Sequence, residues 1–423
     1  MWWRPSRRIV TPSKGSEEVV ASATIADRCG RNHVAVAVVF AVHGAANGSF
    51  ATRIPWIRER LGLSAGALGL ALLMPALGAL LAMPITGVLV HRLSGRTVTR
   101  VLIGAFACAL ALPALAPALA WLALALLVFG AVAGMADIAM NTQGLLVEER
   151  AGRPLMSGLH GIWSLGGIAG SAVGVLAAHA DVDARVHLGA MAALLLAVGG
   201  VAGRGLPAAE ATDVGHDAPE PPRLAWPSRP VMLIGLVGFC AVFAEGASAD
   251  WCAVYLRDVM GTSPATAAAA YTAFAFAMAG GRLVGDRVVA RLGAVASVRA
   301  GGALATAGAL LVVVARTPLL GIPGFALIGL GIAVVVPVVF AAGGRAVPHA
   351  GQGIAAVATV AYGAGLAAPG TIGAIAELAS LPAAFVVVAT LTALFGLGAG
   401  ALRPGAGREA DPPPAGSRTG SAA

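Results

Sequence analysis

The chain has 423 residues, 58% of them hydrophobic and only 11% charged, with a formal net charge of +8. Soluble domains carry about 25% charged residues, so this composition excludes a solvated globular surface and makes a bilayer the natural solvent. The basic excess is arginine scattered through short loops, with Lys14 the one lysine, and it forms no stripe of the kind that binds nucleic acid.

Residues 1–32 are polar and arginine-bearing, lack the apolar core of a signal peptide, and read as an N-terminal tail. A membrane helix needs about 20 mostly apolar residues. Six such stretches follow, at roughly 33–52, 66–90, 99–117, 119–145, 156–180 and 186–204. Residues 205–229, rich in Pro, Asp, Glu and Ala, read as a solvated linker. Six more stretches lie at roughly 230–254, 265–284, 297–315, 319–343, 352–376 and 382–402, before a Pro- and Gly-rich tail, 403–423, expected to be disordered. The plan is an all-α membrane protein of two six-helix bundles, 33–204 and 230–402. Abundant Ala and Gly suit helices packed backbone to backbone. Cys29, Cys108, Cys240 and Cys252 show no paired spacing, so neither a metal site nor a disulfide is expected.

An even number of spans places both termini on one side. Of the 28 Lys and Arg residues, 22 fall in the tails and the even-numbered loops, against 6 in the odd-numbered loops. The positive-inside rule therefore puts both termini in the cytoplasm, with the inner membrane as the expected location.

The halves repeat. His43-Gly44-Ala45 in span 1 matches Glu245-Gly246-Ala247 in span 7, and Gly62-Leu63-Ser64 before span 2 matches Gly261-Thr262-Ser263 before span 8. Ser64 and Ser263 are placed as N-caps, with Pro264 suited to a first helical turn. Trp163, Gly166 and Gly174 in span 5 match Tyr362, Gly365 and Gly373 in span 11. Six helices repeated in the same orientation imply two halves related by an axis along the membrane normal, with the substrate site between them.

The loop after span 2 reads Gly87-Val-Leu-Val-His91-Arg92-Leu-Ser-Gly95-Arg96. The loop after span 8 keeps Asp286-Arg287 but has Arg282 beside Gly281 where a glycine is expected. With twelve spans and a long central loop, this resembles the major facilitator superfamily, whose pattern there is G-x-x-x-D-R-x-G-R. The resemblance covers about 33–402 and implies a transporter working by alternating access.

Ionisable groups within a bilayer cost roughly 2.5–3.5 kcal/mol each on insertion scales, so they mark function. Asp137 and Asn141 in span 4 are spaced i, i+4 and share one face. A carboxylate beside an amide can hold and release a proton while bonding a polar ligand. In span 1, His43 and Asn47 share a face, and His43 reads equally as a proton relay or as a neutral group bonded within the bundle. Glu245 in span 7 repeats its position and is a second proton or substrate carboxylate, placed to face it across a cavity. Asp250, five residues on, either joins the site or pairs with Arg53, Arg58 or Arg257. In span 5, His160, Ser164, Gly167 and Ser171 form a polar stripe with Trp163 beside it as a stacking platform, while Gly166, Gly170 and Gly174 suit close packing on another face. Tyr271, Tyr362 and Gln143 are weaker site candidates, for which an interface or packing role is the preferred reading.

The Asp137-Ile-Ala-Met-Asn141 text is similar to the E-T-A-A-N motif of the fucose-permease-like branch, which implies an acid that helps couple a sugar to protons. That branch also has an acid in outer span 1, where this chain reads Asn47-Gly48-Ser49-Phe50-Ala51-Thr52. The texts around His43, Glu245 and His160 look closer to the YbjJ-type permeases.

Arg92, Arg96, Asp286 and Arg287 lie at the cytoplasmic ends of spans 2 and 8, where charge pairs can hold one half against the other and break on switching. Arg100, Arg291 and Arg299 read as plain topology signals. No Walker loop, HExxH or GxSxG appears, so neither an enzyme nor a cofactor is expected. The leading reading is a monomeric secondary transporter of a small polar solute, driven by protons as a symporter. The rivals are a drug/proton antiporter of the same fold, disfavoured by Gly170-Ser171 where such antiporters have Gly-Pro, and a receptor or scaffold that no longer transports.

Overall fold

A computed structural model describes residues 14–63, 65–208 and 228–403. The linker and C-terminal tail readings thus fall largely outside the described residues, as does Ser64, whereas residues 14–32 of the expected N-terminal tail are helical and begin α1. In the first half α1 (Lys14–Ala51) and the short α2 (Ile54–Leu61) precede α3 (Ala65–Leu93). There follow α4 (Gly95–Ala109) with its one-turn extension α5 (Leu112–Leu115), α6 (Leu119–Ala151), α7 (Met156–His179) and α8 (Ala184–Arg204). The second half holds α9 (Arg229–Met260), α10 (Pro264–Leu292), α11 (Ala294–Val314), the broken pair α12 (Pro318–Ile332) and α13 (Val335–Arg345), α14 (Ala350–Leu378) and α15 (Leu381–Gly398).

A bilayer offers backbone groups no partner, so each crossing must satisfy itself as a helix. Eleven described segments are long and apolar enough to cross. The twelfth crossing, α10, is of full length but carries Arg282, Asp286, Arg287 and Arg291 toward its end. Helix ends follow local chemistry. Gly62, Gly152 and Gly261 cap α2, α6 and α9 at φ of 60°, 61° and 63°, in the left-handed region that glycine adopts without strain. Ser263 caps α10 by accepting from the Thr266 amide, with Pro264 in the first turn, as expected. The break between α12 and α13 falls at Ala333-Val334, where the ring of Pro337 opposes the carbonyl four residues back.

Packing repeats as the sequence does. In the first half α1 lies on α7, α3 on α6 and α4 on α8; in the second, α9 lies on α14, α10 on α12 and α11 on α15. The halves meet along two seams, α3 with α14 and α7 with α10, and α13 also reaches α6 and α7. The α1–α7 contact is backbone to backbone. A Cβ on Gly166 would lie 2.2 Å from the Ala41 carbonyl oxygen, and one on Gly44 would lie 2.0 Å from that of Trp163. Each half has its own aromatic core, Phe50, Phe106 and Phe129 in the first and Tyr255, Phe325 and Phe385 in the second. Large apolar side chains such as Leu81, Leu176, Leu319 and Leu378 are exposed on the outer faces, where acyl chains replace water.

Candidate transport site

Side chains of α1, α6, α7, α9, α10 and α14 form three polar groups in the interior, two of which span both halves. In α6 the i, i+4 spacing brings Asn141 onto Asp137: its amide nitrogen donates to the Asp137 carbonyl at 2.8 Å and to Oδ1 at 3.2 Å. The other side of the Asn141 amide accepts from His160 Nε2 of α7 at 3.1 Å. Asp137 Oδ2 accepts from the Tyr362 hydroxyl of α14 at 3.1 Å, a bond between the halves. Asp137, Asn141 and His160 are buried.

His43 and Trp163 form a second group. The Trp163 indole N–H donates to His43 Nδ1 at 2.9 Å, and His43 Nε2 contacts the Ala133 carbonyl at 3.1 Å. An indole only donates and a carbonyl only accepts, so these partners fix His43 as the neutral tautomer protonated on Nε2. Asn47 donates to the His43 carbonyl at 2.9 Å, and Phe106 lies against the imidazole with ring centroids 4.7 Å apart. Of the two readings of His43, this geometry matches the neutral bundle histidine.

A third group joins the halves through Arg282. Its Nη1 donates to Ser164 Oγ of α7 at 3.1 Å, and its Nη2 meets both Glu245 carboxylate oxygens at 3.2 Å. Arg282 is buried, whereas the Glu245 side chain is 30% exposed. Glu245 therefore pairs with Arg282 of its own half and does not face its counterpart His43. Ser164 points at this ion pair, but Ser171 donates back to the Gly48 carbonyl at 3.3 Å, so the stripe on α7 divides between site and packing. Asp250 lies apart and exposed; its suggested partner Arg53 is instead buried and donates to His187 Nδ1 at 3.0 Å.

A separate set of charges closes the end of the bundle where α1 begins and α15 ends. The start of α7 presents four amides. Glu148 Oε2 accepts from Leu155 and Met156 at 2.7 and 2.9 Å. From the other half, Asp286 Oδ1 accepts from Ser157 at 2.9 Å and Oδ2 from Gly158 at 2.8 Å. Arg345 then pairs with Glu148 Oε1, again across the halves, and Ser157 Oγ donates to the Arg282 carbonyl at 2.8 Å. Carboxylates at a helix N-terminus gain from both the amide bonds and the dipole. Of the expected gating residues, Asp286 thus bonds from one half to the other. Arg96 donates to the Arg204 carbonyl at 2.6 Å inside the first half, and the Arg92 and Arg287 side chains are exposed.

Sequence reasoning misses three residues of these networks as functional groups: Arg282, Glu148 and Arg345. Arg282 shows in the sequence only as a departure from a loop pattern. Tyr362 reads there as a weaker candidate with packing preferred, yet it contacts Asp137.

Known membrane proteins share this architecture. The family model described as Major Facilitator Superfamily matches residues 36–369. An uncharacterized MFS-type transporter of Yersinia pestis is 37% identical over 85% of this chain and 92% of its own length. An uncharacterized transporter, y4wD, of Sinorhizobium fredii is 36% identical over 85% and 95%. Among solved structures, the transporter FucP in its outward conformation superposes with a TM-score of 0.72 at 18% identity, covering 88% of this chain and 98% of FucP, a likeness of fold. The chain belongs to the major facilitator superfamily of membrane transporters.

Proposed function

We propose that this protein is a proton-coupled symporter that carries a small polar solute, sugar-like or another metabolite, across the inner membrane by alternating access. One observation carries the reading: two intramembrane acids of opposite halves are each tied to the other half. Asp137 of α6 is held by Tyr362 of α14, and Glu245 of α9 reaches Ser164 of α7 through Arg282. Protonating Asp137 weakens its bond to Tyr362 of the other half, and protonating Glu245 loosens its hold on the Arg282 that bonds Ser164 across the seam, so proton uptake and the rocking of one half on the other draw on linked contacts.

The remaining groups take roles around these acids. Asn141, His160 and Trp163 offer bonding and stacking surfaces to a solute, and His43 with Asn47 holds Trp163 in place. The basic loops put the terminus side in the cytoplasm, so the carboxylates on the α7 start form the closed inner gate and solute enters from the opposite side. The Asp137-x-x-x-Asn141 spacing supports a place in the fucose-permease-like or YbjJ-type branch. One chain contains both halves, so a monomer suffices, and no cofactor takes part.

Proteoliposomes with an imposed pH gradient test the coupling. The Asp137→Asn variant is expected to bind and exchange solute without accumulating it. Accumulation at the parental level by that variant removes Asp137 from the coupling scheme.

A further inference from the structure

The reading of the bundle centre as the transport site leaves the chemical class of the solute open, and Arg282 bears on it. This guanidinium is buried at the meeting point of the halves, beyond the reach of bulk water. Its donors are unevenly used. Nη1 serves Ser164, and Nη2 alone meets both oxygens of Glu245, at 3.2 Å each. Nε is buried and has no partner. A carboxylate binds arginine best as a fork, with one oxygen on Nε and the other on Nη2. Glu245 occupies one prong of that fork twice and leaves the other empty. An unmatched buried donor on a charged group is costly, so the site retains capacity for a better-fitting acceptor.

Glu245 is also the more mobile partner by position. Its side chain is 30% exposed where that of Arg282 is 5% exposed, so water can receive the Glu245 carboxylate once it leaves, and cannot receive the guanidinium. The other groups near the fork do not compete for it. Asp137 is occupied by Asn141 and Tyr362, His160 by Asn141, and Ser164 already accepts from Nη1.

We infer that Arg282 is the anchor for a carboxylate on the transported solute, which takes the Nε–Nη2 fork and displaces Glu245. Glu245 then acts as a resident stand-in, keeping the buried cation paired while the site is empty. The inference rests on the centre being the transport site, and it narrows the solute from polar metabolites in general to organic acids and amino or sugar acids. The displaced Glu245 carboxylate, turned toward the entry path, is free to bind the coupled proton.

Thermal unfolding of the full-length protein in detergent, with paired probes at equal ionic strength, tests this. The pairs are glycerate against glycerol, D-glucuronate against D-glucose, and succinate against its diamide. At least one carboxylate is expected to raise the Tm where its neutral partner does not. Arg282→Gln should weaken that binding roughly tenfold to a hundredfold, the range of a lost charge-assisted pair. Glu245→Gln should strengthen it about tenfold, because the stand-in no longer competes for the fork. If Arg282→Gln does not fold, Glu245→Gln against the parent still decides. The inference is overturned if no carboxylate is preferred in either the parent or Glu245→Gln, or if Glu245→Gln weakens carboxylate binding. A neutral solute that drives proton uptake in proteoliposomes overturns it while leaving the symport reading intact. Selective carboxylate binding without solute-driven proton uptake leaves Arg282 as the anchor and sinks the symport reading.

Discussion

Glu148 and Asp286 divide the four leading amides of α7 between them, although one belongs to the same half as that helix and the other to the opposite half. The start of α7 is thus a shared object: its own half supplies two of its acceptors, and the partner half must be docked to supply the rest.

Removing the partner's share should loosen the closed gate. Asp286→Ala leaves the Ser157 and Gly158 amides without side-chain acceptors, at a cost of about 1–2 kcal/mol to the docked state. That shifts the population toward separation at the terminus side by about 5- to 30-fold. Electron–electron distances between spin labels on α7 and α10 should broaden toward longer values. An unchanged distribution would show that Asp286 does not hold the gate.

Tyr362→Phe tests the link between Asp137 and the second half. The ring still packs, and only the hydroxyl at 3.1 Å is lost, a change of about 1 kcal/mol. The expected result is selective: gradient-driven uptake falls while equilibrium exchange persists, because Asp137 no longer senses the position of α14. Equal loss of both activities in the same vesicles would reduce Tyr362 to a structural role.

The close approach of α1 and α7 predicts an asymmetry between repeated glycines. Gly166→Ala forces a Cβ to within 2.2 Å of the Ala41 carbonyl oxygen, whereas a Cβ on Gly365, its counterpart in α14, would meet nothing within 4 Å. Gly166→Ala should cost about 1–3 kcal/mol and lower the Tm, with Gly365→Ala near neutral. Equal shifts in melting would contradict the packing.

Asp183 offers a titration outside the bilayer. It caps α8 through the Arg185 amide at 2.7 Å and pairs with the Arg185 guanidinium, which holds its carboxyl below the usual range. A lowered folded-state pKa stabilises above the unfolded value of about 3.9, and that stabilisation is lost as pH falls through the folded value. Asp183→Ala should therefore lower the Tm slightly at neutral pH, with the difference from the parent vanishing in strong acid. A difference that grows on acidification would reverse this assignment.

The bilayer explains what the sequence can disclose. Its thickness sets the length of every apolar run, and its cost for charge keeps most arginines out of those runs, so crossings and repeat can be read by counting. The Asp137–Asn141 pair is also legible, since i, i+4 spacing is a local rule. Contacts between distant residues have no such rule. Arg282 finds Glu245 across 37 positions, Arg345 finds Glu148 across 197, and Tyr362 finds Asp137 across 225. Asp250 fails in the opposite direction: it is as conspicuous in the sequence as Glu245, but five residues along a helix turn it elsewhere, and it stays exposed.

The two seams between the halves are chemically unlike. Along α7–α10, carboxylate and amide groups grip at discrete points that can be released one by one. At the matching start of α14 the amides of Gln352 and Gly353 return to the His349 carbonyl, and the last turn of α3 has His91 at the position that Asp286 holds in α10. There Gly87 packs against the Gln352 backbone and Gly351 against Val90. On the alternating-access reading proposed above, such a molecule has its lock on one edge and its hinge on the other.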